Sequence, residues 1–209
     1  MILQLLVVGE LAANCYLLGC PRTRRGLVID PGGDARVIIA QIRELNLNIE
    51  KVILTHGHID HWAAAGDVAE ATGASVAIHA ADAFMLSNPA ASLAIYVKPG
   101  ASLRPDILLH DGDTVAAGTL EFQIMHTPGH TPGGVCLYTP GTVFTGDTLF
   151  EGSIGRHDLP GGDLRRLIAS ITEKLLVLPD ETRVYPGHGP QTTIAGERCH
   201  NPYLTEAWD

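Results

Sequence analysis

Long apolar runs are missing from this 209-residue chain. None approaches the roughly 18 residues needed to span a bilayer. Cysteine is sparse: four residues, at 15, 20, 136 and 199, with no CxxC pair. That count excludes a disulfide scaffold and a zinc ribbon, and reduced thiols are the expectation. Positive charge is scarce as well. Fourteen Lys and Arg stand against 23 Asp and Glu, a net charge of −9. Such a surface repels phosphate backbones and anionic lipids, so neither a nucleic-acid nor a membrane partner is expected. The first residues are apolar but carry no basic stretch, and Glu10 falls where a cleavage site would lie. No secretory signal is therefore expected, and the expected compartment is cytoplasmic. With 45% apolar and 18% charged residues, the chain is not a disordered one. Its length predicts one domain, residues 1–209, with a sizeable core.

Glycine and proline punctuate short apolar stretches. Residues 3–8, 14–18, 26–29, 52–54 and 75–78 read as strands in the first half, and 114–116, 121–125, 134–138, 142–145 and 182–185 in the second. Pro31-Gly32-Gly33-Asp34 opens a helix whose apolar face is Ala35, Ile38, Ile39, Ile42 and Leu45, with Asp34 expected as its N-cap. A second helix over 63–71 stops at Gly73. Pro160-Gly161-Gly162-Asp163 repeats the first helix start, a hint of internal duplication. Strands alternating with helices in both halves predict an α/β layered fold. The 87–105 stretch reads as a loop long enough for a lid, on which Tyr96 and Lys98 are candidate substrate contacts or incidental surface polar groups.

What is abundant is histidine, with ten residues. His56, His58, Asp60 and His61 fall within six positions, directly after the apolar strand 52–54. His56 and His58 alternate, so in an extended segment both can turn to one ion. Asp60 and His61, at the following helix start, can aim at a neighbouring site. Three further groups, His130, Asp147 and His188, each follow an apolar strand and lie beside glycine. Four strand ends thus deliver seven ligands, expected at one edge of the molecule. Imidazole with carboxylate suits zinc, iron or manganese, with zinc the first choice.

The HxHxDH segment at 56–61, TPGHTPGG at 127–134, FTGDTLF at 144–150 and PGHG at 186–189 together resemble the metallo-β-lactamase superfamily. The resemblance implies an αββα sandwich of two mixed β-sheets with helices outside. It further implies that His56, His58 and His130 hold a first divalent metal, that Asp60, His61 and His188 hold a second, and that Asp147 bridges them. Class B lactamases lack that bridging aspartate, flavodiiron reductases carry glutamate at the position of His58, and the family's nucleases carry an inserted domain. What remains resembles the glyoxalase II (hydroxyacylglutathione hydrolase) branch. The GSIGRHD run at 152–158 and NPYL at 201–204 are similar to its short members. The longer members add a C-terminal helical domain that binds glutathione, whereas here the last ligand is His188 of 209 residues.

The reaction this resemblance implies is hydrolysis of an anionic thioester such as S-lactoylglutathione by a metal-bridging hydroxide, oriented by Asp60. A thiolate leaves without a strong general acid. Two divalent ions outweigh two aspartates and a hydroxide, so the centre is positive despite the acidic surface. Arg156 stands where longer members place a substrate-contacting basic residue, and pairing with Asp158 is its alternative role. Two other readings stay open. A persulfide dioxygenase would use one iron and usually carries cysteine where Ile154 stands. A protein that binds metal without turnover would use a closed site.

Overall fold

The computed structural model describes residues 1–94 and 103–205. Strands β1 (Ile2–Val8), β2 (Ala13–Gly19), β3 (Arg25–Ile29), β4 (Asn48–Ile53), β5 (Ser75–His79) and β6 (Ile107–Leu109) form one six-stranded sheet in that order. The first three are antiparallel and the last four run parallel. Parallel neighbours need crossovers. These are helix α1 (Ala35–Glu44), the short α2 (Ile59–Trp62) with α3 (Ala65–Thr72), and a 3-10 helix, Ala80–Ser87.

The second half begins with β7 (Thr114–Ala117), β8 (Leu120–His126), β9 (Val135–Thr139) and β10 (Thr142–Gly146). A two-stranded hairpin follows, β11 (Leu149–Phe150) with β12 (Ser153–Ile154). Then come α4 (Leu164–Ser170), β13 (Arg183–Pro186), β14 (Thr192–Thr193), α5 (Ile194–His200) and α6 (Pro202–Thr205). The second six-stranded sheet has the order β14-β13-β10-β9-β8-β7. Only its β10–β13 pair is parallel. Both sheets are therefore mixed.

Alternation along single strands explains the layering. In β2 all seven residues are buried. Cys15 and Leu17 face α1 and α3, while Tyr16 and Leu18 face the second sheet. Val52 and Ile53 of β4 divide in the same way. On the second sheet Phe144 enters the inter-sheet core and Val143 the outer layer with Leu167, Ile171 and Leu175. Three apolar layers thus separate helix, sheet, sheet and helix. Each fully buried leucine stabilises by about 1.5–3 kcal/mol. This is the expected αββα sandwich. Among the described residues no helix is long and apolar enough to cross a membrane.

One expectation needs correction. Asp34 does not cap α1: its φ is 51°, in the left-handed region, and its side chain makes no cap hydrogen bond. Its carboxylate instead accepts from the Gly9 amide at 2.9 Å. Asp163 has extended backbone and does cap α4, accepting from the Arg166 amide at 3.1 Å. The two Pro-Gly-Gly-Asp runs thus differ in conformation. Of the expected 87–105 loop, Ser87 ends the 3-10 helix, and the described residues 88–94 and 103–106 carry no strand. Tyr96 and Lys98 lie outside the described residues.

His79, which ends β5, accepts from the Ala81 amide at 3.2 Å and so caps the 3-10 helix. Its ring stacks on His126 at 4.1 Å. Burial, then His126 and His110, push its pKa down from 6.5 to about 4, against the pull of Asp111 and Asp113. Between those two values the unfolded chain binds the proton and the folded chain does not, so stability falls as pH drops through that window. His79→Asn retains a capping acceptor without the titration. The variant is expected to lose less thermal stability than wild type between pH 7 and pH 5. Equal losses in the two melts would show that His79 does not set this dependence.

Candidate metal centre

Every ligand predicted from the sequence lies at the carboxyl end of a strand. β8, β10 and β13 share one direction in their sheet. The loops after them carry His130, Asp147 and His188, and the segment after β4 carries the other four. Backbone bonds draw these loops together. The Val135 amide donates to the Thr55 carbonyl at 2.9 Å, and the Gly187 amide to the Gly146 carbonyl at 2.8 Å. Position 187 admits only glycine, because a Cβ there would collide with the Asp147 carboxylate. Asn14 and Tyr16 of β2 both donate to the Pro186 carbonyl, at 3.0 and 2.6 Å, and fix the last loop from the other sheet.

The seven side chains form two clusters. His56, His58 and His130 are one, all buried. Asp60, His61 and His188 are the other. Asp147 lies between them, with Oδ2 3.5 Å from His130 Nε2 and Oδ1 3.4 Å from His61 Nε2. His58 Nδ1 approaches His130 Nε2 to 2.9 Å, and His61 Nε2 approaches His188 Nε2 to 3.2 Å. Tetrahedral sites with bonds of about 2.0–2.1 Å bring two ligand nitrogens to about 3.3 Å. The chain fits such ions.

Hydrogen bonds on the far side of each ring fix which nitrogen is left over. Asp30, buried and at φ 50°, accepts from the Thr55 amide at 2.7 Å, the Thr55 hydroxyl at 2.6 Å and His61 Nδ1 at 3.0 Å. With its proton committed to Asp30, the Thr55 oxygen accepts from His56 Nδ1 at 3.1 Å. His130 Nδ1 donates to the Arg156 carbonyl at 2.7 Å. All three histidines therefore commit Nδ1 outward and turn Nε2 inward, the nitrogen that a neutral imidazole would offer to a metal. His56 Nε2 and Asp147 Oδ1 are buried with no hydrogen-bond partner. Buried polar atoms are seldom left so, and a cation satisfies both.

Charge follows the same division. Burial pushes His56 well below the usual imidazole range, and takes His58 down to about 3. Burial also opposes charge on His61 and His188, but neighbouring Asp147 and Asp60 outweigh it and raise both. Asp147 and Asp60 are held low against burial, chiefly by His61. Both carboxylates are thus ionised at neutral pH.

The centre forms the floor of a pocket of about 560 Å³. Its walls include Leu11, Ile59, Leu93, Phe150, Ile154 and Leu159, with Asp60 and His188 at the base. Arg156 lines it too, with its exposed guanidinium bidentate to Asp158, Nε–Oδ1 3.0 Å and NH2–Oδ2 2.9 Å. That pairing lowers the Asp158 pKa to about 2. The side-chain pair is the alternative role that the sequence offered. The carbonyl contact to His130 has no signal in the sequence.

Sequence reasoning missed Asp30 and Asp82. Asp30 precedes Pro31-Gly32 and reads as a turn residue. Asp82 sits in an alanine-rich run with no motif. His126, an unassigned strand-end histidine, pairs through Nε2 with the Pro132 carbonyl at 2.9 Å and so braces the His130 loop from outside.

A family model described as the Metallo-beta-lactamase superfamily matches residues 8–188. The hydroxyacylglutathione hydrolase GloC of Haemophilus influenzae is 36% identical over 207 residues, covering 97% of both chains. The solved BLEG-1 B3 metallo-beta-lactamase superposes with a TM-score of 0.93 at 37% identity, covering 98% of this chain and 100% of that one. TTHA1623, solved in a di-iron-bound form, gives 0.84 at 38% identity over 96% and 100% of the two chains. ETHE1 from Myxococcus xanthus gives 0.83 at 35% identity over 99% and 86%.

Proposed function

The chain belongs to the metallo-beta-lactamase superfamily, and from that membership we propose that it is a metal-dependent thioester hydrolase of the glyoxalase II type, acting on a small anionic thioester such as S-lactoylglutathione. The observation that carries this reading is the shared position of Asp147 between two ligand clusters at the base of an open pocket. Divalent ions held there supply Lewis acidity and bring the pKa of water towards neutrality. Zinc is proposed on ligand type, and iron or manganese accept the same set.

The residues of the chain do the rest. Asp60, ionised and lining the pocket, accepts a hydrogen bond from the attacking hydroxide and orients it. The apolar walls offer a surface for the acyl portion. A thioester asks least of this arrangement, because a thiolate departs without a strong proton donor. Arg156 adds positive charge to the wall for an anionic thiol portion.

The test is S-lactoylglutathione hydrolysis measured alongside metal content. Turnover rising with the second equivalent of metal is the expected result. One iron per chain, with sulfite formed from glutathione persulfide, would replace this reading by the dioxygenase one. A fully metallated protein inactive on thioesters, esters, lactones and β-lactams would leave a metal-binding role alone. Arg156→Ala refines the assignment, since it spares the carbonyl that orients His130. Its KM for S-lactoylglutathione is expected to rise more than its kcat falls, with a neutral thioester little affected at low salt. If kcat falls equally for both substrates and KM does not move, Arg156 acts through Asp158 and the substrate contact is abandoned.

A further inference from the structure

The three ligands of the first cluster come from two segments: His56 and His58 from the turn after β4, and His130 from the loop after β8. Asp82, on the 3-10 helix and with no solvent exposure, reaches both. Its Oδ2 accepts from the Gly57 amide at 3.0 Å, between the first two ligands. Its Oδ1 accepts from the Gly133 amide at 2.6 Å, three residues beyond the third. We propose that Asp82 is a positioning residue for the first metal site, a strut whose two oxygens set the separation between the His56–His58 turn and the His130 loop.

A carboxylate suits this role for a geometric reason. Two backbone amides facing each other across a gap are both donors and cannot satisfy one another. One carboxylate between them offers a rigid pair of acceptors, and burying it without such partners would be costly. The fit is close on the loop side as well, since a Cβ at Gly133 would meet the Asp82 backbone and carboxylate. The ligands of the second cluster lie on α2 and the loop after β13. Neither of the two hydrogen bonds that Asp82 accepts comes from those elements. Its influence should therefore be confined to one site.

That asymmetry gives the test, which rests on the two-site metal reading and on no choice of substrate. Zinc is titrated into the metal-free protein against a chromophoric chelator. Asp82→Asn keeps the side chain's volume but turns one oxygen into an NH2 group facing an amide donor. It is expected to weaken one of two sites by about 10–100-fold, the usual effect of losing an outer partner. In a His188→Ala background, where the first site remains, the loss should persist. In a His130→Ala background, where the second remains, Asp82→Asn should change nothing. Equal weakening in both backgrounds would mark Asp82 as a general fold residue, and no weakening in either would remove it altogether. If Asp82→Asn does not fold, Gly133→Ala pushes the same contact apart and is expected to give the same split. A wild-type protein with fewer than two sites would instead overturn the metal reading itself.

Discussion

Asp147→Ala is expected to leave a protein that holds at most one metal weakly and has lost nearly all activity. The reason is geometric. Each of the two clusters has three candidate ligands of its own, and Asp147 lies between them, close to His130 on one side and to His61 and His188 on the other. Removing it takes a ligand from both sites at once. It also takes a buried negative charge from among the imidazoles, so His61 loses the principal partner that favours its charged form. The loss should exceed the about 10–100-fold that follows from removing an outer partner. Metal analysis after exhaustive dialysis, with S-lactoylglutathione turnover in parallel, checks it. Two tightly held metals and full activity in the variant would mean that the ligand assignment is wrong.

Asp30→Ala is expected to damage both folding and metal binding, although Asp30 is not assigned as a ligand. Its carboxylate lies near His56 and His61. Both of its oxygens are already occupied by the Thr55 amide, the Thr55 hydroxyl and His61 Nδ1. It acts on the ions through those groups, holding His61 directly and His56 by way of Thr55. Alanine leaves a buried amide and a buried imidazole N–H without acceptors, each costing about 1–3 kcal/mol. The metal-free variant should melt well below wild type. Metal affinity should drop by about 10–100-fold at both sites, unlike the one-sided effect expected of Asp82. Asp30→Asn tests charge against shape: its NH2 would face either the Thr55 amide or the Thr55 hydroxyl and His61 Nδ1, groups that donate to the carboxylate, so it should recover little. An Asp30→Ala protein that melts and binds metal as wild type does would show that the ring orientations do not depend on this carboxylate.

The seven candidate ligands and the layered architecture were legible in the chain because both are encoded locally. Strands such as β2 and β4 alternate between two buried faces, and the HxHxDH turn packs four donors into six residues. The pairing of β2 with β3 and the caps at Asp163 and Gly73 likewise depend on near neighbours. Other features depended on contacts across the fold. Pro-Gly-Gly-Asp occurs twice, yet Asp163 caps a helix and Asp34 does not, because the Gly9 amide, 25 residues distant, takes its carboxylate. Asp30, Asp82 and the Arg156 carbonyl orient the ligands over separations of 25 to 51 residues. Three of the donors are backbone amides and one acceptor is a backbone carbonyl, groups that almost every residue carries. The sequence by itself determined which side chains can hold metal and at which strand ends they lie. Only the tertiary structure decided which nitrogen each imidazole turns inward, because that depends on a hydrogen-bond partner brought near by packing rather than by sequence distance.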